Sequence, residues 1–295
     1  MTGPGSDEQI RDWVRGLGLP GLIDIHVHFM PERVLAKVWA YFDAASEHYG
    51  VAWPVRYRFD EPTRLAVLRG FGVIGFAPLL YPHKPAMAEW LNDWAAEFAE
   101  REPDAVPTAT FYPEPGADAY LARALERGVR CLKAHVQVGD YDPADPLLDK
   151  VWGLIAESGV PVVIHCGHGP LPGRHTGLDV FETVLRRHPR LTAVLAHAGT
   201  PDYLAALELL RRYPRVHLDT TMVGVAFTER NAPLPADWTA RLAEFGDRVA
   251  LGTDYPNIPY EYSEQLRAIA GWAQDLGPEF LRAVLHDTPA RLLGR

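Results

Sequence analysis

Residues 160–219 read VPVVIHCGHGPLPGRHTGLDVFETVLRRHPRLTAVLAHAGTPDYLAALELLRRYPRVHLD, and this stretch decides the fold. Three short apolar runs, Val160–His165, Leu191–His197 and Val216–Asp219, alternate with two amphipathic segments, Leu178–Arg187 and Pro201–Arg212. Runs that are apolar throughout indicate strands buried on both faces, as in parallel sheets. Strands that alternate with helices predict βαβ units.

The same alternation continues towards both ends of the chain. Five further apolar runs predict strands at 21–28, 73–80, 105–111, 129–136 and 249–254. Further helix signals lie at 86–100, 118–127, 146–158 and 236–245. No GxGxxG or GxxxxGK[ST] phosphate loop follows any of the strands. We therefore predict an α/β protein with a closed (β/α)8 TIM barrel, formed as one domain by residues 1–295.

Composition excludes several classes of partner. The chain has 295 residues and a net charge of −9, which argues against a nucleic-acid ligand. No apolar run reaches the ~18 residues of a membrane span, so we expect no membrane partner. Cys131 and Cys166 lie in apolar runs, which predicts reduced, buried thiols in a cytoplasmic protein. The partner that we expect is a small-molecule substrate. The oligomeric state stays open, with a homodimer as one alternative.

The connection after the first strand is long. Residues 29–61 form an inserted segment that is rich in aromatic side chains and leaves the strand end where barrel enzymes place their sites. We predict a short helix at Ala36–Ala45, whose aromatic residues either pack the segment onto the barrel or contact a planar substrate. Arg56 and Arg58 are predicted to bind a substrate carboxylate bidentately, or else to be surface residues.

Titratable side chains close the apolar runs. His26 and His28 lie two residues apart in the first strand, so both point to one face, where two imidazoles can meet one metal ion. His165, His197 and Asp254 end the fifth, sixth and eighth strands. Buried strand ends rarely carry such side chains unless these are paired or bind metal. The pattern therefore predicts a metal or catalytic cluster.

Other strand residues give weaker signals. Lys133 and His135 share one face of the fourth strand, by the same spacing. Asp24 is expected on the face of His26 and His28, where it either orients an imidazole or joins a buried ion pair.

Taken in order, from IDIHVH to the closing HDTPARLLGR, these residues resemble the amidohydrolase superfamily. The resemblance is to its branch of decarboxylases and lactonases similar to aminocarboxymuconate-semialdehyde decarboxylase. Residues 286–289 (HDTP) depart from the terminal Asn-Ala-x-Arg-Leu pattern of that branch. The resemblance implies a metal-dependent hydrolase type of barrel with one divalent ion, usually zinc, with manganese as the alternative. It also implies a set of ligands, namely His26, His28, His165 and Asp254.

The resemblance implies further roles at the same site. Asp254 would also be the catalytic acid and base, and His197 would be the second catalytic residue, facing the substrate. Two-metal members of the superfamily carry a carboxylated lysine at the end of strand 4, which Lys133 would match. We favour a single ion, with Lys133 as a substrate anchor and His135 as a substrate contact.

Two activities fit these residues. The first is hydrolysis of a small carbonyl compound, a lactone, amide or ester, by a metal-activated water. The alternative is non-oxidative decarboxylation of an aromatic or unsaturated acid, in which Asp254 protonates carbon. A binding barrel without activity is the third reading, and the full set of ligands argues against it.

Overall fold

The computed structural model describes residues 2–295 and contains eight parallel strands that follow one another in chain order. The strands are β1 (Leu22–Val27), β2 (Val73–Pro78), β3 (Thr108–Thr110), β4 (Cys131–His135), β5 (Val162–His165), β6 (Ala193–Leu195), β7 (Val216–Asp219) and β8 (Val249–Ala250). All eight lie within the predicted strand ranges. The predicted TIM-barrel fold is confirmed.

Backbone hydrogen bonds join the strands around the full circle. β1 pairs with β2, and β3 to β8 form one sheet in sequence order. A bridge between Phe76 and Ala105 connects β2 to the segment before β3. A second bridge, between Val27 and Tyr255, connects β1 to the segment after β8. The two-stranded and the six-stranded sheet are therefore parts of one closed ring.

A helix follows each strand. The helices are α1 (Ile10–Gly16), α2 (Glu32–Asp43), α3 (Ala45–Tyr49), α4 (Glu61–Gly70), α5 (Ala88–Arg101), α6 (Ala117–Glu126), α7 (Val136–Gly139), α8 (Pro146–Ser158), α9 (Leu178–Arg187), α10 (Tyr203–Arg212), α11 (Ala226–Glu229), α12 (Trp238–Leu242), α13 (Tyr262–Leu276), α14 (Pro278–Arg282) and α15 (Thr288–Leu293). The inserted segment after β1 forms α2 and α3, and α2 begins before the predicted Ala36. Within residues 2–295, no helix combines the length and apolarity needed to cross a membrane.

Two apolar layers stabilise the barrel. The larger layer lies between strands and helices and includes Trp152, Phe181 and Cys166. The smaller layer fills the barrel interior; its members are Ile23, Ile25, Ala77, Leu79, Val106, Cys131, Val163, Val194, Ala196 and Ala250, joined by Ala290 and Leu293 of α15. Both cysteines are buried and unpaired, as predicted. The interior is therefore packed rather than open, and polar groups gather above it at the carboxyl ends of the strands.

The interior layer can be tested by truncating one of its members. Ile23→Ala removes buried apolar contacts from the barrel lumen and should lower the free energy of unfolding by roughly 2–5 kcal/mol. Ile74→Ala is the matched control, because Ile74 lies on β2 with 43% of its surface exposed. It should cost less than about 1 kcal/mol in the same urea titration. Equal losses in the two variants would contradict a packed lumen.

Candidate metal centre and active site

An irregularity in β1 sets which side chains reach the site. The register of β1 against β2 shifts between Asp24 and Val27, so the simple alternation of faces is broken there. Ile25 packs in the barrel interior, and His26 faces the site directly above it. Asp24 instead points outward and accepts hydrogen bonds from Thr253 Oγ1 (2.6 Å) and Tyr262 Oη (2.8 Å). The prediction that Asp24 shares a face with His26 and His28 is therefore wrong.

Hydrogen bonds fix the orientation of both β1 histidines. His28 Nδ1 donates to the carbonyl oxygen of Leu79 at 2.9 Å, because a carbonyl can only accept. His26 Nδ1 lies 2.8 Å from Asp219 Oδ2 and donates to that carboxylate. In the tautomer that these bonds select, the Nδ1 atom of each ring carries a proton. The Nε2 lone pairs of both rings point towards Asp254, as a shared ligand site requires.

Three electron-pair donors converge at this point. Asp254 Oδ1 lies 2.7 Å from His28 Nε2 and 3.2 Å from His26 Nε2. These atoms all lie within 4.8 Å of one another. Lone pairs this close repel one another unless a cation lies among them, and two imidazoles with a carboxylate are donors that zinc prefers. The residues therefore fit a divalent metal ion.

Burial sets the protonation states that such binding needs. Burial, followed by the nearby Lys133 ammonium, lowers the pKa of His26 well below its ordinary value, so this ring is neutral at pH 7. Burial alone would raise the pKa of Asp254. The adjacent imidazoles of His28 and His26, whose Nε2 atoms lie against Oδ1, outweigh burial and hold that pKa well below the ordinary value. A neutral imidazole and an ionised carboxylate are the ligating forms.

Lys133 lies at the inner edge of the cluster. Its side chain is buried, and Nζ lies 3.0 Å from His26 Nε2. Burial lowers the pKa of Lys133 to about 8, although the carboxylates of Asp254 and Asp219 counteract part of this effect. The structure thus places the predicted substrate anchor in direct contact with a proposed metal ligand.

Asp219, at the end of β7, is a site residue that the sequence analysis did not identify. Its Oδ2 accepts from His26 Nδ1, while its Oδ1 accepts from the backbone N–H groups of His197 (2.8 Å) and Thr221 (3.1 Å). Burial raises its pKa. The residue joins β1, β7 and the turn after β6. The signal was present, since Val216–Asp219 is also an apolar run that ends in a titratable residue.

His197 reaches the site through an unusual backbone conformation. Val194 and Ala196 both face the barrel interior, so plain alternation would turn His197 outward. His197 instead has a left-handed φ of 55°, and its ring centroid lies 5.4 Å from that of His26. Burial lowers the pKa of His197 to about 4. Asp254 is left-handed as well, with φ 69°. Left-handed non-glycine residues cost about 1–2 kcal/mol each, so such strain at two site residues favours a functional role.

His135 and His165 form a second pair of rings beside the cluster. Their centroids lie 4.1 Å apart in a stacked arrangement, and the His165 ring lies 4.8 Å from that of His197. Burial lowers the pKa of both residues well below the ordinary value. His165 Nε2 lies 2.8 Å from the Gly169 carbonyl oxygen and donates to it. His165 therefore adjoins the converging donors without being one of them.

The two predicted substrate arginines lie elsewhere. Arg56 forms an ion pair with Glu261 at 2.6 Å, and Arg58 forms one with Asp43 at 2.8 Å. Neither side chain lines the cavity above the metal cluster. The structure does not bring them together with the other predicted site residues, because surface carboxylates already hold both guanidinium groups.

A large cavity opens above the cluster. Its volume is about 1490 Å³, and its floor is formed by His26, His28, Lys133, His135, His165, His197 and Asp254. Aromatic residues of the inserted segment form one wall, among them Tyr41, Phe42, Tyr49 and Trp53. These aromatic residues thus pack the insert and also face the cavity, and their contact with a planar substrate stays a prediction.

Asn257 attaches the inserted segment to the metal site. Its Oδ1 accepts from Trp39 Nε1 at 3.0 Å, and its carbonyl oxygen accepts from Trp53 Nε1 at 2.7 Å. Its own N–H donates to the Asp254 carbonyl oxygen at 2.8 Å. One buried residue, through its side-chain amide and its backbone, therefore connects the cavity wall to a proposed metal ligand.

Comparisons with known proteins agree with this architecture. The sequence model of the family described as Amidohydrolase matches residues 23–295. No curated protein matches the chain in sequence. Solved structures with similar folds include an uncharacterized TIM-barrel protein from Bordetella bronchiseptica, with 20% identity and a TM-score of 0.71, over 92% of this chain and 98% of that one.

Two further solved structures carry assigned activities. One is a 5-carboxyvanillate decarboxylase from Novosphingobium aromaticivorans with bound manganese and 3-methoxy-4-hydroxy-5-nitrobenzoic acid. It has 16% identity and a TM-score of 0.63, over 93% of this chain and 97% of that one. The other, assigned as a 2-pyrone-4,6-dicarboxylic acid hydrolase, comes from Acinetobacter baumannii and has citric acid bound. It has 15% identity and a TM-score of 0.59, over 93% of this chain and 100% of that one. At these identities the likeness shows the fold.

The hydrogen bond from His26 to Asp219 predicts the effect of an isosteric change. Asp219→Asn places an amide donor against His26 Nδ1, which moves the ring proton to Nε2 and blocks the lone pair that faces Asp254. Affinity for zinc, measured by competition with a chelator, should fall by about 10–100-fold. Asp24→Asn is the matched control, because the hydroxyl partners of Asp24 can reverse their hydrogen bonds. Unchanged affinity in Asp219→Asn would remove Asp219 from its role.

Proposed function

The chain belongs to the amidohydrolase family, and from this premise we propose that it hydrolyses a small carbonyl compound, a lactone, amide or ester, at a divalent metal site. It is an enzyme of the amidohydrolase superfamily. The observation that carries the proposal is the convergence of His26 Nε2, His28 Nε2 and Asp254 Oδ1 at the floor of the cavity. Each imidazole proton is engaged on the far side of its ring.

His26, His28 and Asp254 would hold the metal, with His165 as a fourth ligand once its Nε2 leaves the Gly169 carbonyl. A bound divalent ion lowers the pKa of a coordinated water towards ~7 and polarises a carbonyl oxygen. Zinc suits this donor set, and manganese is the alternative, since it is bound in the similar decarboxylase. We propose one ion because a single set of three donors converges within residues 2–295.

The remaining steps fall to side chains of this protein. Asp254 directs Oδ1 at both imidazoles, which leaves Oδ2 to accept a proton from the attacking water and return it to the leaving group. His197 is neutral at pH 7, so it can donate its ring N–H to the oxyanion that develops on the substrate. Lys133 and His135 would contact the substrate from the floor.

Decarboxylation is the second candidate, and the aromatic wall favours it. Tyr41, Phe42, Tyr49 and Trp53 line one side of the cavity, which suits a planar acid. In that reaction the ionised Asp254 would first take a proton from water and then deliver it to the carbon atom that loses carbon dioxide. The same residues serve both reactions, so the product distinguishes them.

Metal content is the first test. Protein purified without chelator should contain about one zinc or manganese ion per chain by elemental analysis, and His28→Ala should lose nearly all of it because one donor is removed. His188→Ala is the control, since His188 pairs with Asp149 outside the cavity. Two ions per chain would favour a carboxylated Lys133. A chain that takes up no ion from added zinc or manganese would rule out the proposed site.

Catalysis is tested at Asp254. Asp254→Asn should lower turnover of an active substrate by about 10²–10⁴-fold while the circular dichroism spectrum is retained, because the amide cannot accept the proton. Asp149→Asn, at the surface pair with His188, should keep full activity. Screening of aryl esters, lactones and aromatic acids with assays for acid and carbon dioxide release assigns the reaction class. Unchanged turnover in Asp254→Asn would contradict its role.

A further inference from the structure

Helix α2 presents a mixed face to the cavity. Arg33, Val34, Lys37, Val38 and Tyr41 all line it. These positions follow the i, i+4, i+8 spacing of one helical face, with cations and apolar side chains side by side. The same helix can therefore contact both an apolar body and an anion.

Further cations and an aromatic ring extend this face across the mouth. The Arg33 guanidinium carbon lies 4.9 Å from the centroid of the Trp90 ring, a cation–π contact that orders the side chain. Lys84 and His83 follow β2 and line the same cavity. Burial, followed by the charges of Lys84 and Lys37, lowers the pKa of His83, in keeping with lysines on both sides of it. Arg33, Lys37 and Lys84 are called the cationic rim below.

No carboxylate neutralises the cationic rim. Among the described residues that line the cavity, Asp254 at the floor is the sole acid. Within residues 2–295, none of the three rim cations forms an ion pair, whereas Arg56 and Arg58 each have a carboxylate partner. Like charges that face a cavity without counter-charges raise the potential there and attract anions. The charge of the rim and its position at the cavity mouth therefore both favour an anion.

The rim and the metal cluster lie at different depths. His26 and His28 are buried, whereas all three rim cations are exposed at the mouth. Apolar side chains, among them Met30, Val38 and Met87, line the cavity as well. A volume of about 1490 Å³ also exceeds the range of about 300–1,000 Å³ that is usual for small-molecule sites. A ligand that contacts both the rim and the metal cluster must extend from the floor of the cavity to its mouth.

We propose that the substrate carries a carboxylate at the end remote from its reacting group, separated by an apolar or aromatic body, and that Arg33, Lys37 and Lys84 bind this carboxylate. The assignment of the reacting group to the floor rests on the proposed function. The rim itself does not, since it needs no metal to bind an anion. Arg33, Lys37 and Lys84 then determine which substrates enter, without taking part in bond cleavage.

The test uses the full chain after removal of metal by a chelator, with two probes of equal shape. Biphenyl-4-carboxylate and biphenyl-4-carboxamide are titrated at low salt, with tryptophan fluorescence as the signal. Three exposed cationic contacts should make the carboxylate bind about tenfold more tightly. The Arg33→Gln/Lys37→Gln/Lys84→Gln variant should bring the two affinities within about twofold. The preference should also weaken as salt is added.

The matched control removes three cations elsewhere. The Arg56→Gln/Arg58→Gln/Lys150→Gln variant has the same net charge as the rim variant, and each of its positions has a carboxylate partner outside the cavity. It should keep the tenfold preference.

Three outcomes would overturn the rim site. Equal binding of the two probes to the unaltered chain would show that no anion is selected. A preference that survives in the rim variant would place the carboxylate at the floor beside Lys133. An equal loss of the carboxylate preference in the control variant would show that the preference depends on the net charge of the protein and not on the rim. Because the protein is metal-free, failure of the metal site would appear in elemental analysis and leave this result intact.

Discussion

The hydrogen bond between His26 Nδ1 and Asp219 Oδ2 orients the proposed metal-binding residues at the carboxyl ends of the strands. It fixes the ring proton on the far side of the imidazole, so the lone pair faces Asp254. The second carboxylate oxygen accepts the backbone N–H of His197 and sets the turn after β6. One buried carboxylate thus orients a proposed ligand and positions the proposed oxyanion donor. The carboxyl ends of β1, β6 and β7 are held in one arrangement as a result.

This constraint explains why a buried polar cluster is tolerated above a packed apolar lumen. Unpaired polar groups in such a place would be costly, yet most of the ring protons and carboxylate oxygens here have partners. The groups that face one another without a shared cation are the Nε2 lone pairs and Asp254 Oδ1, although Lys133 Nζ also lies 3.0 Å from His26 Nε2. A metal ion would satisfy all three at once, so the incomplete part of the network coincides with the proposed chemistry.

Much of this architecture was predictable because strand burial and strand ends leave strong signals. The eight apolar runs located the strands, and the titratable residue at the end of a run identified His26, His28, His165, His197 and Asp254. The direction in which individual side chains point was harder to predict from the sequence. The register shift in β1 turns Asp24 outward, and the left-handed backbone at His197 turns that ring inward, against the alternation. These local departures from strand alternation depend on tertiary contacts, which the periodicity of apolar residues does not reveal.

The arginines of the inserted segment also could not be assigned from the sequence. It does not reveal that Arg56 and Arg58 pair with surface carboxylates whereas Arg33 faces the cavity. The segment's attachment has a consequence for diversification within this fold. Its two indole N–H groups and the backbone of Asp254 all bond to Asn257, so the wall that surrounds a substrate and the residue proposed to act on it share one anchor. A segment transplanted from another barrel would keep these bonds to Asn257 only if it carried hydrogen-bond donors at the same two places. The inserted segment after β1 and the loop after β8 are therefore coupled, although they lie more than 200 residues apart in the chain.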